Sequence, residues 1–159
     1  MFRAVACRQW GYRLGVSEQR HARETILFFD GACGFCQRSV RFVLANESRT
    51  RREAGDRLLF APLGGETCGR VLGGLPMPEG VILVRGGRVL TRSDAAGEVL
   101  RLMGGVWSLV GAVVLAVPRG LREWAYGLIA SRRRGLMRPM AGGVACAVPD
   151  ASQRARLLA

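Results

Sequence analysis

Cys33 and Cys36 form a Cys-x-x-Cys pair, the part of this sequence best suited to chemistry. Three-residue spacing at a helix start places both sulfur atoms on one side of the first turn, where they can form a disulfide. Cys33 would lie at the helix N-terminus, where unpaired N–H groups and the helix dipole stabilise a thiolate. Thiols in such positions have pKa values of roughly 3.5 to 7.5 instead of about 8.5. We therefore predict that Cys33 is the nucleophile of thiol–disulfide exchange, and that Cys36, one turn further in and more buried, is the resolving thiol.

An aspartate, Asp30, precedes the pair at the end of an apolar run. Together with Gly31 it forms a common turn sequence, so its side chain could simply turn the chain and cap the helix. A carboxylate at this position could instead accept the proton of Cys36 while that thiol attacks, because burial raises the pKa of an aspartate and suits it to the role. The residues leave both interpretations open. Asp30 is our third candidate catalytic residue.

The same two cysteines could instead be half of a zinc site. Such a site needs two further ligands, and the candidates are Cys68, Cys146 and His21. None of these forms a second Cys-x-x-Cys or a Cys–His pair at zinc-finger spacing. A Cys-x-x-Cys beside a strand–helix–strand pattern favours redox chemistry, so we expect no metal, and a zinc-binding module remains the alternative.

The elements that must position the pair follow from apolar patterning. Residues 25–29 form a short apolar run without alternation, which predicts a strand buried on both faces. From Cys33 to residue 44 the apolar residues recur at helical spacing, and residues 58–61 predict a second buried strand. Since a helix separates the two strands, we expect them to be parallel.

A β-hairpin and a third helix are predicted next. Residues 81–84 and 89–91 flank a Gly-Gly pair, which is a strong hairpin signal. Ser93 or Asp94 can cap a helix that runs to about Met103. The fold class is therefore α/β, with a mixed four-stranded sheet built as βαβ, then β-hairpin and helix, followed by additional C-terminal helices.

Residues 102–118 carry no charge, and a span of seventeen residues falls just short of the roughly 20 needed to cross a membrane. We predict that residues 106–117 form a buried helix packed against the sheet. The alternative is a membrane-surface element over residues 106–134, because residues 119–138 contain six arginines and one acid, Glu123. The protein would then be a membrane-surface adaptor with a degenerate redox site. The apolar stripe of that element would consist of Leu121, Trp124, Ala125 and Leu128.

Charge and composition exclude some functions. All 24 cationic residues are arginine, so lysine Schiff-base catalysis and a Walker-type phosphate loop are excluded. The net charge of +12 supports only non-specific attraction to nucleic acid, because no sequence-reading motif accompanies it. No apolar stretch near the N-terminus resembles a secretory signal, which predicts a cytoplasmic protein, with a location peripheral to a membrane as the alternative.

A strand followed by Asp30-Gly31-x-Cys33-x-x-Cys36 resembles the DCC-type thiol-disulfide oxidoreductase family, named for that aspartate and the two cysteines. The resemblance covers about residues 25–149. Its further motifs are Phe60-Ala61-Pro62-Leu63, Arg88-Val89-Leu90-Thr91-Arg92-Ser93-Asp94-Ala95-Ala96, the later Pro118, Tyr126, Ala130, Arg132 and Arg134, and the closing Cys146-Ala147-Val148-Pro149.

The resemblance implies a thioredoxin-like fold and thiol-disulfide oxidoreductase activity without an organic cofactor. The partners would be a protein or small-molecule disulfide or thiol and a reductant, both undefined. The 159 residues suffice for one domain with its own core. We predict a flexible basic tail at 1–24, the thioredoxin-like domain with its helical extension at 25–135, and a mostly irregular tail carrying Cys146 at 136–159.

Overall fold

The computed structural model of the protein describes residues 25–47, 58–73, 80–136 and 151–158. The predictions for the basic tail, for His21, and for Cys146 with its closing Cys-x-x-Pro motif lie outside these residues. The predicted domain boundaries therefore stay predictions.

Four strands form the predicted mixed sheet. They are β1 (Thr25–Phe29), β2 (Leu58–Pro62), β3 (Ile82–Arg85) and β4 (Arg88–Thr91), and their order in the sheet is β2-β1-β3-β4. β1 pairs in parallel with β2, as the intervening helix predicts, and antiparallel with β3. β3 and β4 form the hairpin, whose turn residues Gly86 and Gly87 both have positive φ, at 55° and 73°. Two positive φ values are what a tight type I′ turn requires, so glycine is needed at both positions.

Helices cover both faces of this sheet. Every residue of β1 is buried, because Leu27 and Phe29 face the core beneath the first and third helices while Ile26 and Phe28 face the second helix. This confirms the α/β fold class and is consistent with a thioredoxin-like arrangement. The helices among the described residues are α1 (Gly34–Asn46), α2 (Glu66–Leu72), α3 (Arg92–Met103), α4 (Gly105–Ala116), α5 (Arg119–Leu136) and α6 (Ala151–Arg154).

The predicted cap of α3 is wrong. Ser93 and Asp94 lie inside the first turn, and the N-cap residue Thr91 makes no side-chain cap hydrogen bond. A carboxylate from α5 takes the place of a local cap, because the Ser93 N–H donates to Glu123 Oε1 at 3.2 Å and the Ser93 hydroxyl donates to the same oxygen. Asp94 instead forms an ion pair with Arg122 of α5. These contacts attach α5 to the beginning of α3.

Glu123 therefore makes a pH-dependent contribution to stability. Burial by itself raises the pKa of Glu123, but the hydrogen bonds from Ser93 and Arg92 outweigh burial and bring the pKa below its ordinary value. A carboxyl whose pKa is lowered by folding stabilises the protein above the unfolded-state pKa, and this stabilisation is lost as the pH falls through the folded-state pKa.

We expect Glu123→Gln to lower the free energy of unfolding by about 1–2 kcal/mol at neutral pH, because charge-assisted hydrogen bonds are lost. The difference from the parent should shrink below about pH 4.3, the ordinary glutamate pKa. Urea unfolding at several pH values measures this difference in the free energy of unfolding. The matched control is Glu66→Gln, because Glu66 is exposed on α2. Equal effects of the two substitutions would contradict the role of Glu123.

The expectation that residues 106–117 form a buried helix is also wrong. The segment is helical as α4, but Gly111 is its only buried residue, and Val106, Leu109 and Val113 are exposed. Apart from its half-buried Trp107, which packs edge-on against Phe42 of α1 beside the core, α4 packs mainly on α3. At the contact, a Cβ built on Gly111 would lie 2.7 Å from the Gly97 carbonyl oxygen, so only glycine allows the two helices to approach this closely.

Gly111→Val is therefore expected to destabilise the protein by about 1–3 kcal/mol, because the new side chain forces α4 away from α3. Thermal or urea unfolding measures the loss. The control is Gly120→Ala on α5, where a Cβ would meet nothing within 4 Å. A variant at Gly111 as stable as the control would show that the two helices are not packed in this way.

The end of the described chain returns to the edge of the sheet. Leu157 forms a bridge with Phe60 of β2, and Arg156 forms a buried ion pair with Glu47 at 2.6 Å. Within the tail that the sequence predicts to be mostly irregular, residues 136–159, the described part contains α6 and this bridge. The cause is tertiary, since the edge of β2 offers backbone partners that local sequence does not reveal.

Candidate redox site

A short turn connects β1 to α1 and carries the candidate residues. The Asp30 carboxylate accepts a hydrogen bond from the Ala32 N–H at 3.0 Å, and the Asp30 carbonyl accepts one from the Cys33 N–H at 3.1 Å. Cys33 is the N-cap residue of α1 in an extended conformation, and no side chain caps that helix. Asp30 therefore turns the chain, as one interpretation predicted, but does not cap α1.

Two contacts hold this turn against its surroundings. The buried Gln37 side chain on α1 donates to the Gly31 carbonyl at 2.7 Å. A Cβ on Gly31 would lie 3.2 Å from the Cβ of Pro62 at the end of β2, so the turn packs closely on the neighbouring strand. The carboxyl ends of two parallel strands thus meet at the redox pair, a usual location for a site in an α/β sheet.

Cys33 and Cys36 are free thiols whose side chains are hydrogen-bonded to each other. Their order of burial is the reverse of our prediction, because Cys33 is 3% exposed whereas Cys36 is partly exposed. The reason is that Cys33 follows the central strand β1, which has neighbours on both sides, whereas Cys36 lies one turn further along the helix. The thiol at the helix N-terminus is thus shielded from bulk solvent in this conformation.

Burial raises the pKa of Cys36 to about 11, and the hydrogen bond to Cys33 adds to the effect. Electrostatic interactions with Cys33 and Asp30 act in the same direction, while the positive charge of Arg133 opposes them. Cys36 is therefore protonated at neutral pH, and it must lose that proton before it can attack a disulfide.

Arg133 of α5 is the residue that sequence reasoning missed. It is only 7% exposed, and its Nη1 donates to the Cys36 sulfur at 3.8 Å. Its Nη2 lies 3.9 Å from Asp30 Oδ2, and its Nε has no hydrogen-bond partner among the described residues. One buried guanidinium thus links the thiol of Cys36 with the carboxylate of Asp30.

A signal for Arg133 was present in the sequence. The motif that resembles the family includes Tyr126, Ala130, Arg132 and Arg134. In a helix, however, the residue that lies on the same face as Tyr126 and Ala130 is Arg133. The Tyr126 hydroxyl accepts a hydrogen bond from the Val81 N–H at 3.1 Å, which fixes this face of α5 to the start of β3. Arg132 is exposed, and the side chain of Arg134 is outside the described structure.

The remaining candidates do not join the site. Cys68 is buried in α2 on the opposite face of the sheet, away from the redox pair. Within the described residues no three His, Cys, Asp or Glu side chains form a group that could hold a metal ion. The other candidate zinc ligands, His21 and Cys146, lie outside the described residues.

Comparisons with known proteins identify the family of this chain. A family model described as DCC1-like thiol-disulfide oxidoreductase matches residues 27–139. The chain is 32% identical over 112 residues to the uncharacterized protein YuxK of Bacillus subtilis strain 168, an alignment that covers 68% of this chain and 77% of YuxK. No solved structure matches the chain significantly.

Proposed function

The chain belongs to the DCC1-like thiol-disulfide oxidoreductase family, and on this premise we propose that it catalyses thiol–disulfide exchange through Cys33 and Cys36. The observation that carries the proposal is the pair of free thiols that lie close together at the start of α1. Arg133 and Asp30 at the same point supply the charges that a proton transfer requires.

Cys33 is the attacking thiol in this proposal. Cys33 lies at the N-terminus of α1, whereas the raised pKa of Cys36 makes that thiol a poor first nucleophile. The Cys33 thiolate attacks one sulfur of a substrate disulfide. A mixed disulfide forms between Cys33 and that half of the substrate, and the other half leaves as a thiolate.

Cys36 then resolves the mixed disulfide. Its proton passes to Asp30, the carboxylate that Arg133 holds close to the thiol, and the Cys36 thiolate attacks the sulfur of Cys33. The Cys33–Cys36 disulfide forms, and the second half of the substrate leaves as a thiolate. The substrate disulfide has gained two electrons from the cysteine pair, and a dithiol reductant must restore the pair for another cycle.

The substrate class is a protein or small-molecule disulfide, or a thiol when the reaction runs in the opposite direction. Cys33 is shielded and Cys36 is only partly exposed, so in this proposal a local movement uncovers the sulfur of Cys33 before it attacks.

Trapping tests the order of the two thiols. We expect Cys36→Ser to accumulate a stable mixed disulfide at Cys33 when the reduced protein meets an aromatic disulfide, because among the described residues no second thiol remains in reach to release it. Intact mass and peptide mapping identify the adduct, and Cys68→Ala is the control for a buried cysteine outside the site.

The result that would overturn the proposal is an adduct on Cys36 in a Cys33→Ser variant together with none in Cys36→Ser. Zinc bound in stoichiometric amount, protecting both cysteines from oxidation, would instead support the zinc-binding alternative.

A further inference from the structure

The outer faces of α4 and α5 each carry a row of exposed apolar side chains with the same spacing. On α4 the row is Val106, Leu109 and Val113, and on α5 it is Leu121, Trp124 and Leu128. These six side chains are 42% to 70% exposed, and we call them the α4–α5 apolar surface. Both rows follow the pattern i, i+3, i+7, which aligns side chains along one face of a helix.

The opposite faces of the two helices are already occupied by internal contacts. α4 packs on α3 at Gly111, and α5 directs Glu123, Tyr126 and Arg133 towards α3, β3 and the redox pair. Trp124 and Arg133 are nine residues apart, which is half a turn from one another around the helix. The outward rows are therefore not needed for the packing of the described fold.

The charges beside this surface are positive. α4 contains no charged residue, and the single acid of α5, Glu123, is paired with Arg92 and Ser93. Arg119 and Arg132 of α5 are exposed, and the whole chain carries a net charge of +12. An apolar stripe with an exposed tryptophan and flanking arginines is complementary to an anionic lipid surface.

We propose that the α4–α5 apolar surface docks the protein on membranes that contain anionic lipids. A second copy of the chain is a poorer occupant, because two molecules of charge +12 repel each other. Within the described residues no single helix is long and apolar enough to cross a membrane. α4 and Arg119–Arg133 of α5 reach that length and apolarity only when taken together, and the two helices are bent by 112° at the break between them. Two short helices that lie in the interface fit this geometry.

Docking in this way is independent of the proposed redox function. It would leave the inward face of α5, with Arg133 and the redox pair, directed away from lipid. The binding experiment and the trapping experiment can therefore fail separately.

Vesicle flotation tests the proposal directly. The purified full chain is mixed with vesicles of phosphatidylcholine alone, or of phosphatidylcholine with phosphatidylglycerol, at low and at high salt. We expect binding to the phosphatidylglycerol vesicles only, and weaker binding at high salt, because salt screens the attraction between arginine and anionic headgroups.

Two double variants test the apolar rows. They are Leu109→Ser with Val113→Ser on α4, and Leu121→Ser with Trp124→Ser on α5. All four side chains are exposed, so the fold should tolerate these changes. We expect each double variant to lower the vesicle partition coefficient at least about tenfold. The reason is that removing even one aliphatic side chain from the lipid costs enough free energy for a tenfold change.

A matched pair of charge variants tests complementarity. Arg132→Ser removes an exposed arginine beside the apolar row, whereas Arg70→Ser removes one from α2, which packs on the other face of the sheet. We expect Arg132→Ser to weaken binding to phosphatidylglycerol vesicles about fivefold and Arg70→Ser to change it little.

Three results would overturn the proposal. They are no binding to either kind of vesicle, binding that both double variants leave unchanged, and equal losses in Arg132→Ser and Arg70→Ser. Concentration-dependent dimers in solution that the double variants abolish, without vesicle binding, would assign the surface to a second copy instead.

Discussion

Replacing Cys33 by serine should reduce thiol–disulfide exchange to the rate of the uncatalysed reaction. A serine hydroxyl is not ionised near neutral pH and cannot form the mixed disulfide with which the reaction begins. Cys36 is a poor substitute for the missing thiol, because burial, the largest cause of its raised pKa, does not depend on Cys33. Loss of Cys33 is therefore expected to have the largest effect of any single substitution in this protein.

The measurement is the release of a coloured thiol from an aromatic disulfide, with excess dithiol as reductant. Cys33 is 3% exposed, so a serine hydroxyl there could lower stability by leaving a buried polar group unpaired. Cys33→Ala is the second variant, and unfolding curves separate loss of chemistry from loss of fold. Cys68→Ala, which removes a buried cysteine on the other face of the sheet, should keep parental activity. Parental rates in both Cys33 variants would contradict the proposed function.

Replacing Arg133 by leucine should slow the release of the mixed disulfide by roughly tenfold, while leaving the first attack by Cys33 much less affected. The Arg133 guanidinium donates to the Cys36 sulfur at 3.8 Å and lowers the pKa of that thiol against the effects of burial. Without it the pKa of Cys36 rises further, and each unit of increase lowers the thiolate fraction tenfold. A more basic thiolate is a somewhat better nucleophile, so the rate falls by less than the thiolate fraction.

The pH dependence distinguishes this electrostatic role from a structural one. Release of a preformed mixed disulfide should accelerate as the pH rises towards the pKa of Cys36, and in Arg133→Leu the acceleration should move to higher pH. Arg133→Lys retains the charge and should recover part of the rate. Rapid quenching followed by mass measurement gives the rate at each pH.

The adjacent exposed residue supplies the control. Arg132→Leu removes the same charge one position away, outside the redox site, and should keep both the rate and the pH profile of the parent. If Arg133→Leu lowered stability without shifting the pH profile, the guanidinium would be a packing residue only.

Local sequence patterns predicted most of the sheet and the position of Cys33 and Cys36 between a strand and a helix. Each of these patterns extends over only a few residues, because hydrophobic periodicity and φ/ψ preferences are local properties. The patterns are the apolar run of β1, the Gly-Gly hairpin and the helical spacing after Cys33. The order β2-β1-β3-β4 agrees with the predicted mixed sheet. The family model matches residues 27–139 and so confirms the family that the sequence motifs resemble.

Contacts between distant parts of the chain decided what local patterns could not. Ser93 and Asp94 have the residue types of helix caps, yet Glu123 of α5 takes over that function from 30 residues away. The uncharged α4 has the composition of a core helix, yet Gly111, at the contact with α3, is its only buried residue. The apolar row of α4 stays exposed.

The sequence by itself therefore determined the sheet, the hairpin and the position of Cys33 and Cys36 at the junction of a strand and a helix. Only the tertiary structure decided that Cys33 is the shielded thiol and that the cation of Arg133 lies beside Cys36. Arg133 and Cys36 are 97 residues apart, and they meet because α5 packs against α1. Such a contact depends on how whole helices pack, and patterns that extend over a few residues do not specify that packing.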